Sequence, residues 1–195
     1  METHNSKKRI ISIAGLLGSG KSSTAKVLAP ILCMKHFSSG DFMRAIADER
    51  GISLGALTVV ANTDKSIDDV IDEQVKKTGE GDNLVIDSRL AFHWIPDSFK
   101  VFLSLDPEVA AQRVFDDAQK NYARHKEHLA PVTSPKDVKK SIIARLESEK
   151  QRYWNKYGVN HVDPKNFDLV IDTEFTPLDQ VVAKILEEYQ KWINS

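Results

Sequence analysis

Gly15-Leu16-Leu17-Gly18-Ser19-Gly20-Lys21-Ser22 stands between an apolar run, Arg9 to Ala14 (RIISIA), and a stretch of helical spacing. The run is short, rich in Ile and closed by Gly15, which predicts a buried strand of a parallel sheet. Beyond the turn, Lys21 to Leu32 carries Ala25, Val27, Leu28 and Leu32 with Lys26 on another face, which predicts a helix. The eight residues match G-x-x-x-x-G-K-[ST] in full, in the strand–turn–helix setting that gives the pattern its meaning. Glycines let successive backbone N–H groups turn inward onto phosphate oxygens, and the helix N-terminus adds its partial positive charge. Gly15, Leu16, Leu17, Gly18, Ser19, Gly20, Lys21, Ser22 and Ser23 are therefore read as a cradle for ATP. Lys21 is expected to reach the β- and γ-phosphates, and the Ser22 hydroxyl to ligate Mg²⁺.

Outward from the cradle, the chain alternates short apolar runs with amphipathic stretches. A segment around Met34 to Phe37 reads as a second strand, followed by a helix opened by Ser38-Ser39-Gly40-Asp41 and stopped by Gly51. Ser53 and Ser66 read as N-caps, the second opening SIDDVIDEQVKK, whose acids come first and whose lysines come last, as a helix dipole favours. Asn83 to Asp87 (NLVID) and Lys100 to Leu105 (KVFLSL) read as two more buried strands, and Phe167 to Asp172 (FDLVID) as a last strand. Asp106-Pro107 starts a helix with Pro at its first position, and Pro177 onward reads as an amphipathic closing helix. Five strands separated by helices predict an α/β fold, a five-stranded parallel sheet flanked by helices. Asn121 to Asp137 stands apart: polar, with His125, His128, Pro131 and Pro135, it reads as an exposed loop or lid segment.

Length and composition set bounds. The 195 residues fit one domain with an ordinary apolar share of 41% and a charged share of 28%. A formal net charge of −1 argues against a nucleic-acid wrapper or a polybasic membrane binder. Cys33 is the single cysteine, so the chain has no internal disulfide, and its expected role is apolar filler near the end of the first helix. With a polar start (METHNSKKR), no apolar leader and no run long enough to span a bilayer, the chain reads as cytoplasmic. A monomer acting on small molecules, with no nucleic-acid or membrane partner, is the expected state.

Asp87 closes NLVID, and ligands bind at the carboxyl ends of strands in such sheets. It is therefore the expected partner of the Mg²⁺ water shell, against the plainer reading of a strand-end turn residue. The N-K-x-D motif of guanine-reading switch proteins is absent, since Asn62-Thr63-Asp64-Lys65 has those letters in the wrong order. Small-molecule kinases remain.

Ser38-Ser39-Gly40-Asp41-Phe42-Met43-Arg44 resembles the S-[ST]-G-D-x-x-R motif of nucleoside monophosphate kinases. Within that group the chain most resembles the short, archaeal-type cytidylate kinases. The matching parts are the cradle, SSGDFMRAIADERG, ANTDKSIDDVID, VIDSRLA and RLESEKQRYWNKYG, in that order along nearly the whole chain. The resemblance implies a P-loop fold with acceptor-binding helices over about 38–80 and a mobile lid over about 113–157. It implies Ser39, Gly40, Asp41, Arg44, Asp68 and Arg89 as acceptor contacts, with Arg44 and Arg89 on the acceptor's phosphate. A planar guanidinium grips a phosphate bidentately, which suits that role. Arg145 and Arg152 fall in the implied lid; seven residues apart on one helix face, they are placed to act together with Lys21 and Arg113. A solvated helix face, with the arginines paired to Glu147 and Glu149, is the competing reading. The chain departs from the family where Asp116-Asp117 follows Arg113 and in the length of the 121–137 stretch, where Arg124 is a candidate replacement. His125 and His128 read as solvated lid residues rather than metal ligands.

The implied reaction is transfer of the γ-phosphoryl of Mg·ATP to a pyrimidine nucleoside monophosphate, probed first by CMP and dCMP. Two alternatives stay open from the residues. One is a kinase for a hydroxyl-bearing metabolite (a sugar acid, shikimate or dephospho-coenzyme A), with Asp41 as base. The other is a non-catalytic ATP-binding protein.

Overall fold

In a computed structural model, residues 7–120 and 134–195 are described. Arg124, His125 and His128, expected in a lid, lie outside them. Five strands form one parallel sheet: β1 (Ile10–Gly15), β2 (Lys35–Ser38), β3 (Leu84–Asp87), β4 (Phe99–Ser104) and β5 (Leu169–Asp172), in the order β2-β3-β1-β4-β5. All four pairings are parallel. β1 is central, because its neighbours β3 and β4 lie on opposite sides. The register sets Ile13 beside Asp87 and Ser38 beside Asp87, so β1, β2 and β3 end at one edge. Crevices at that edge, where the strand order diverges, are where parallel sheets bind ligands.

The described helices are α1 (Lys21–Ile31), α2 (Ser39–Glu49), α3 (Leu54–Val60), α4 (Lys65–Gly79), α5 (Ala91–Trp94), α6 (Pro107–Lys120), α7 (Pro135–Tyr157) and α8 (Leu178–Ile193). Ile11, Ile13, Val85, Val101 and Leu103 of the sheet pack with Leu28 of α1 and with Val181, Val182, Ile185 and Tyr189 of α8. On the other face Ile10 and Ile86 meet Val75 of α4 and Ile95. Each fully buried aliphatic side chain stabilises by about 1.5–3 kcal/mol, so these two layers hold the strand ends in register.

Helix starts follow local side-chain chemistry. Ser38 and Ser53 accept hydrogen bonds from the backbone N–H of Asp41 (3.3 Å) and Ala56 (3.1 Å), as N-caps do. At α4 the cap is Asp64 rather than Ser66: its carboxylate accepts from the Ser66 N–H at 3.0 Å. An ionised Asp is the stronger acceptor for an orphan N–H and suits the helix dipole, so the helix begins two residues earlier than an N-cap at Ser66 would start it. Gly51, at φ +66°, ends α2 as expected.

Cys33 corrects another expectation. It is exposed at φ +54° in the turn after α1, and its neighbour Met34 turns into the core instead. The Cys33 N–H donates to the Pro30 carbonyl at 3.1 Å and the Met34 N–H to the Ala29 carbonyl at 2.8 Å, a left-handed helix end that leaves Cys33 outside. Among the described residues no helix is long and apolar enough to cross a membrane.

Candidate active site

The turn between β1 and α1 is shaped by its glycines. At Gly15 (φ +151°) a Cβ would lie 2.4 Å from the Leu103 carbonyl oxygen, so this position admits only glycine beside β4. Gly20 caps α1 at φ +87° with no atom within 4 Å of a Cβ, leaving the space over the helix N-terminus open. A cradle that would receive phosphates needs both features, a tight turn and an unobstructed mouth. Lys21 Nζ donates to the Leu16 carbonyl at 2.9 Å, across the loop that it closes. Burial, with the nearby Arg89 guanidinium, lowers the Lys21 ammonium to about 8.

The Ser22 hydroxyl donates to Asp87 Oδ2 at 2.5 Å, and Ser38 Oγ lies 3.4 Å from the same oxygen. Asp87 is 5% exposed at the end of β3. Hydroxyl and carboxylate oxygens in one corner are the hard donors that Mg²⁺ takes together with water and substrate phosphates. Among the described residues no group of three His, Cys, Asp or Glu could hold a metal unaided. The set at Ser22 and Asp87 thus fits an ion delivered with a nucleotide.

These residues open onto a cleft of about 650 Å³, within the usual size of a small-molecule site. Lys21, Ser22, Ser23, Gly18, Gly20 and Asp87 line one part. Ser39, Gly40, Met43, Arg44, Leu54, Thr58, Val59 and Asn62 line another, and Arg89, Arg113, Arg145 and Ser148 lie along it as well. Four of the five expected lid and phosphate arginines among the described residues, Arg44, Arg89, Arg113 and Arg145, therefore share the wall with the cradle. Arg44 is held by Asp41 of its own helix at 2.5 Å, while Asp41 is not itself a lining residue. Arg113 donates to the Thr173 and Glu174 carbonyls at 2.7 and 3.1 Å, which ties α6 to the segment after β5.

Arg145 and Arg152 share a helix but not a surrounding. Arg152 Nε lies 2.9 Å from Asp68 Oδ2, and its Nη1 donates to Asn62 Oδ1 at 2.8 Å, an oxygen that also accepts from Ser148. Arg152 is not among the cleft residues. Asp68 thus meets an arginine of α7 in the interior rather than facing the cleft, and burial raises its carboxyl pKa against the pull of Arg152. Nearby, the buried Asp72 accepts from Trp94 Nε1 at 2.9 Å and from the Tyr157 hydroxyl, a second tie between α4 and α7.

Glu149 was expected only as one partner of a solvated face. It is 4% exposed, so that face is not solvated there. Its Oε1 lies 2.8 Å from Arg145 Nε and its Oε2 2.7 Å from Arg89 Nε. Burial acts to raise the Glu149 carboxyl, yet Arg89 and Arg145 hold it down at about 2. His161 lies 3.9 Å from the same carboxylate, and burial pushes its imidazole down to about 4. Glu147 pairs with Lys150 on the outer face instead. The sequence carries a helical i,i+4 Arg–Glu pair at 145 and 149, but nothing in it shows that Arg89 arrives at the same carboxylate.

Comparison with known proteins agrees with this architecture. An AAA domain family (AAA_17) matches residues 14–130. The cytidylate kinase of Halobacterium salinarum is 31% identical over 182 residues, covering 91% of this chain and 88% of that protein. The chain belongs to the cytidylate kinase family of P-loop phosphotransferases. A second relative, an S-adenosylmethionine-dependent nucleotide dehydratase of Lacinutrix mariniflava, is 32% identical over 186 residues. The match covers 94% of this chain but 36% of that protein, so the chain spans about a third of its length. Among solved structures, shikimate kinase from Bacteroides thetaiotaomicron superposes with a TM-score of 0.61 at 15% identity, over 93% of this chain and 98% of that one. At that identity the likeness concerns the fold alone. Within the cytidylate kinase family fold, the cleft at the carboxyl ends of β1 and β3 is the candidate active site.

Proposed function

We propose that the chain transfers the γ-phosphoryl group of ATP to a cytidine monophosphate, CMP or dCMP. One observation carries this reading: Arg44, Arg89 and Arg145 line the same cleft as Lys21, Ser22 and Asp87. Two phosphate-bearing substrates meeting head to head bring several negative charges into one space. Cations on both sides of the transfer point are what such a meeting requires. An unphosphorylated alcohol would call for a carboxylate base, and Asp41 is engaged by Arg44 at 2.5 Å outside the lining. The family membership and a relative named for nucleotide chemistry support a nucleotide acceptor.

In this reading a phosphate oxygen of the monophosphate forms a bond to the γ-phosphorus as the bond to the β–γ bridging oxygen breaks, and ADP leaves. The attacking oxygen is already anionic, so positioning and charge stabilisation supply the catalysis. Backbone N–H groups of the cradle and Lys21 hold the donor, while Arg44, Arg89 and Arg145 hold the acceptor phosphate and the transferring group. Ser22 and Asp87 would hold Mg²⁺, whose charge would offset that of the phosphates. Residues 38–80 form the acceptor side and 113–157 the lid, with Arg113 and Arg152 assigned to lid positioning.

The test is ADP release measured over a panel of nucleoside monophosphates and simple alcohols, with wild type and Arg44→Ala. Turnover with CMP or dCMP, reduced by about 10²-fold or more in kcat/KM by Arg44→Ala, is the expected result. Turnover confined to an unphosphorylated alcohol, indifferent to Arg44, would sink the proposal.

A further inference from the structure

Two guanidinium groups that line the cleft come together on one buried carboxylate. Glu149 receives Arg145 Nε on one oxygen and Arg89 Nε on the other, at 2.8 and 2.7 Å. Arg89 follows β3, whereas Arg145 lies on α7, so Glu149 ties the sheet edge to the long helix. Both contacts use the inner nitrogen of the fork. A guanidinium has five N–H donors, one on Nε and four on the terminal nitrogens. Among the described residues no hydrogen bond engages the terminal nitrogens of either arginine, and both residues line the cleft.

We propose that Glu149 is a positioning residue: it fastens Arg89 and Arg145 by Nε into one unit, whose terminal N–H groups receive the phosphoryl group in flight. The inference rests on the phosphotransfer reading above. Physical economy supports it. A buried carboxylate with two half-buried guanidinium groups loses hydration, at a cost of several kcal/mol for a fully buried charge, and apolar side chains of similar volume commonly stabilise as well or better. A fixed orientation of two cations is what the arrangement supplies and an apolar cluster cannot. Glu149 also offsets repulsion between the two guanidinium groups, which otherwise face each other and Lys21 with like charge. Without the carboxylate, the two arginines would separate and reorganise during the reaction, a cost that a preorganised site avoids.

Glu149→Gln, Glu149→Asp, Arg145→Ala and the double variant Glu149→Gln/Arg145→Ala test this, with kcat, KM for ATP and affinity for inorganic pyrophosphate measured per folded molecule. Pyrophosphate has no base, so it reads the anion site whatever the acceptor is. Glu149→Gln is expected to lower kcat by about 10²-fold and pyrophosphate affinity by about tenfold, with KM for ATP within about threefold. Glu149→Asp, which keeps the charge with shorter reach, is expected to recover most of the loss in kcat. In the Arg145→Ala background the glutamate substitution is expected to cost about half as much or less on the logarithmic scale, because one of the two arginines it acts through is already gone. A residue that merely packs would lower stability and leave these ratios alone. The proposal is overturned if Glu149→Gln, or Arg145→Ala should the glutamine variant not fold, changes neither kcat nor pyrophosphate affinity by more than about threefold. A full-size effect of Glu149→Gln in the Arg145→Ala background overturns it too. If pyrophosphate binding follows Glu149 while no monophosphate is phosphorylated, the positioning stands and the proposed function falls.

Discussion

Ser22 Oγ and Asp87 Oδ2 lie 2.5 Å apart, although 65 residues separate them in the chain. The second residue of α1 and the last residue of β3 meet because β1 and β3 are neighbours in register, Ile13 against Asp87. The hydroxyl and the carboxylate are thereby offered to a single ion.

From that pairing follows a metal prediction. Asp87→Asn keeps the shape and removes the charge, so the Mg²⁺ concentration for half-maximal turnover is expected to rise by roughly 10–100-fold. Ser22→Ala is expected to act in the same direction. Titration of activity with Mg²⁺ at fixed ATP measures both; unchanged Mg²⁺ dependence in Asp87→Asn would remove the ion from this corner.

Lys21 gives a pH prediction. Burial first, and Arg89 second, bring its ammonium to about 8 in the ligand-free protein. Above that pH the free enzyme has lost the cation that meets the phosphates, so kcat/KM for ATP is expected to fall through about pH 8. ATP binding at pH 8–9 is expected to take up a proton, which calorimetry in buffers of different ionisation enthalpy detects. Lys21→Arg, always charged, is expected to be slower at its optimum but to lack this alkaline limb.

Arg152 is predicted to act on stability more than on the chemical step. It pairs with Asp68 where both side chains are at most 10% exposed. Arg152→Ala leaves a buried carboxylate without its cation and is expected to destabilise by about 3–5 kcal/mol. Denaturant unfolding measures this, and Asp68→Asn/Arg152→Ala together are expected to cost less than their sum. A stable Arg152→Ala protein with kcat reduced as far as in Arg145→Ala would instead return Arg152 to the chemistry.

Acid stability provides a fourth check. The Glu149 carboxyl, held near 2 against an ordinary 4.5, binds fewer protons when folded than when unfolded. Its contribution is fully present above about pH 4.5 and is lost as pH falls from there towards 2. Glu149→Gln is expected to be less stable at neutral pH and to show a shallower loss across that interval. Unfolding curves at pH 5, 4 and 3 compare the two slopes.

Much of the fold was legible because its signals are local. RIISIA, NLVID and KVFLSL announce buried strands by composition and FDLVID a last strand, which lies at the sheet edge and is only partly buried; each forms within about two residues of its reading. Where the readings missed, a nearby residue outcompeted the one chosen: Asp64 took the cap from Ser66, and Met34 took the buried place from Cys33. The side-chain chemistry of caps is readable, but a choice between adjacent candidates depends on the angle at which the chain arrives.

The cradle from Gly15 to Ser22 was determined by the sequence itself. A turn whose function is carried by contiguous backbone N–H groups needs only its own glycines and the strand and helix on either side. The meaning of the charged residues was decided by tertiary structure. Arg145 and Glu149 look the same in sequence whether water or protein surrounds them, and a surface pair contributes little. Packing of α7 beside the end of β3 removed the water and brought Arg89 to the same carboxylate. Arg152, on the same helix face by spacing, went to Asp68 instead. Helical periodicity fixes which residues share a face, whereas burial and long-range partners fix what their charges do.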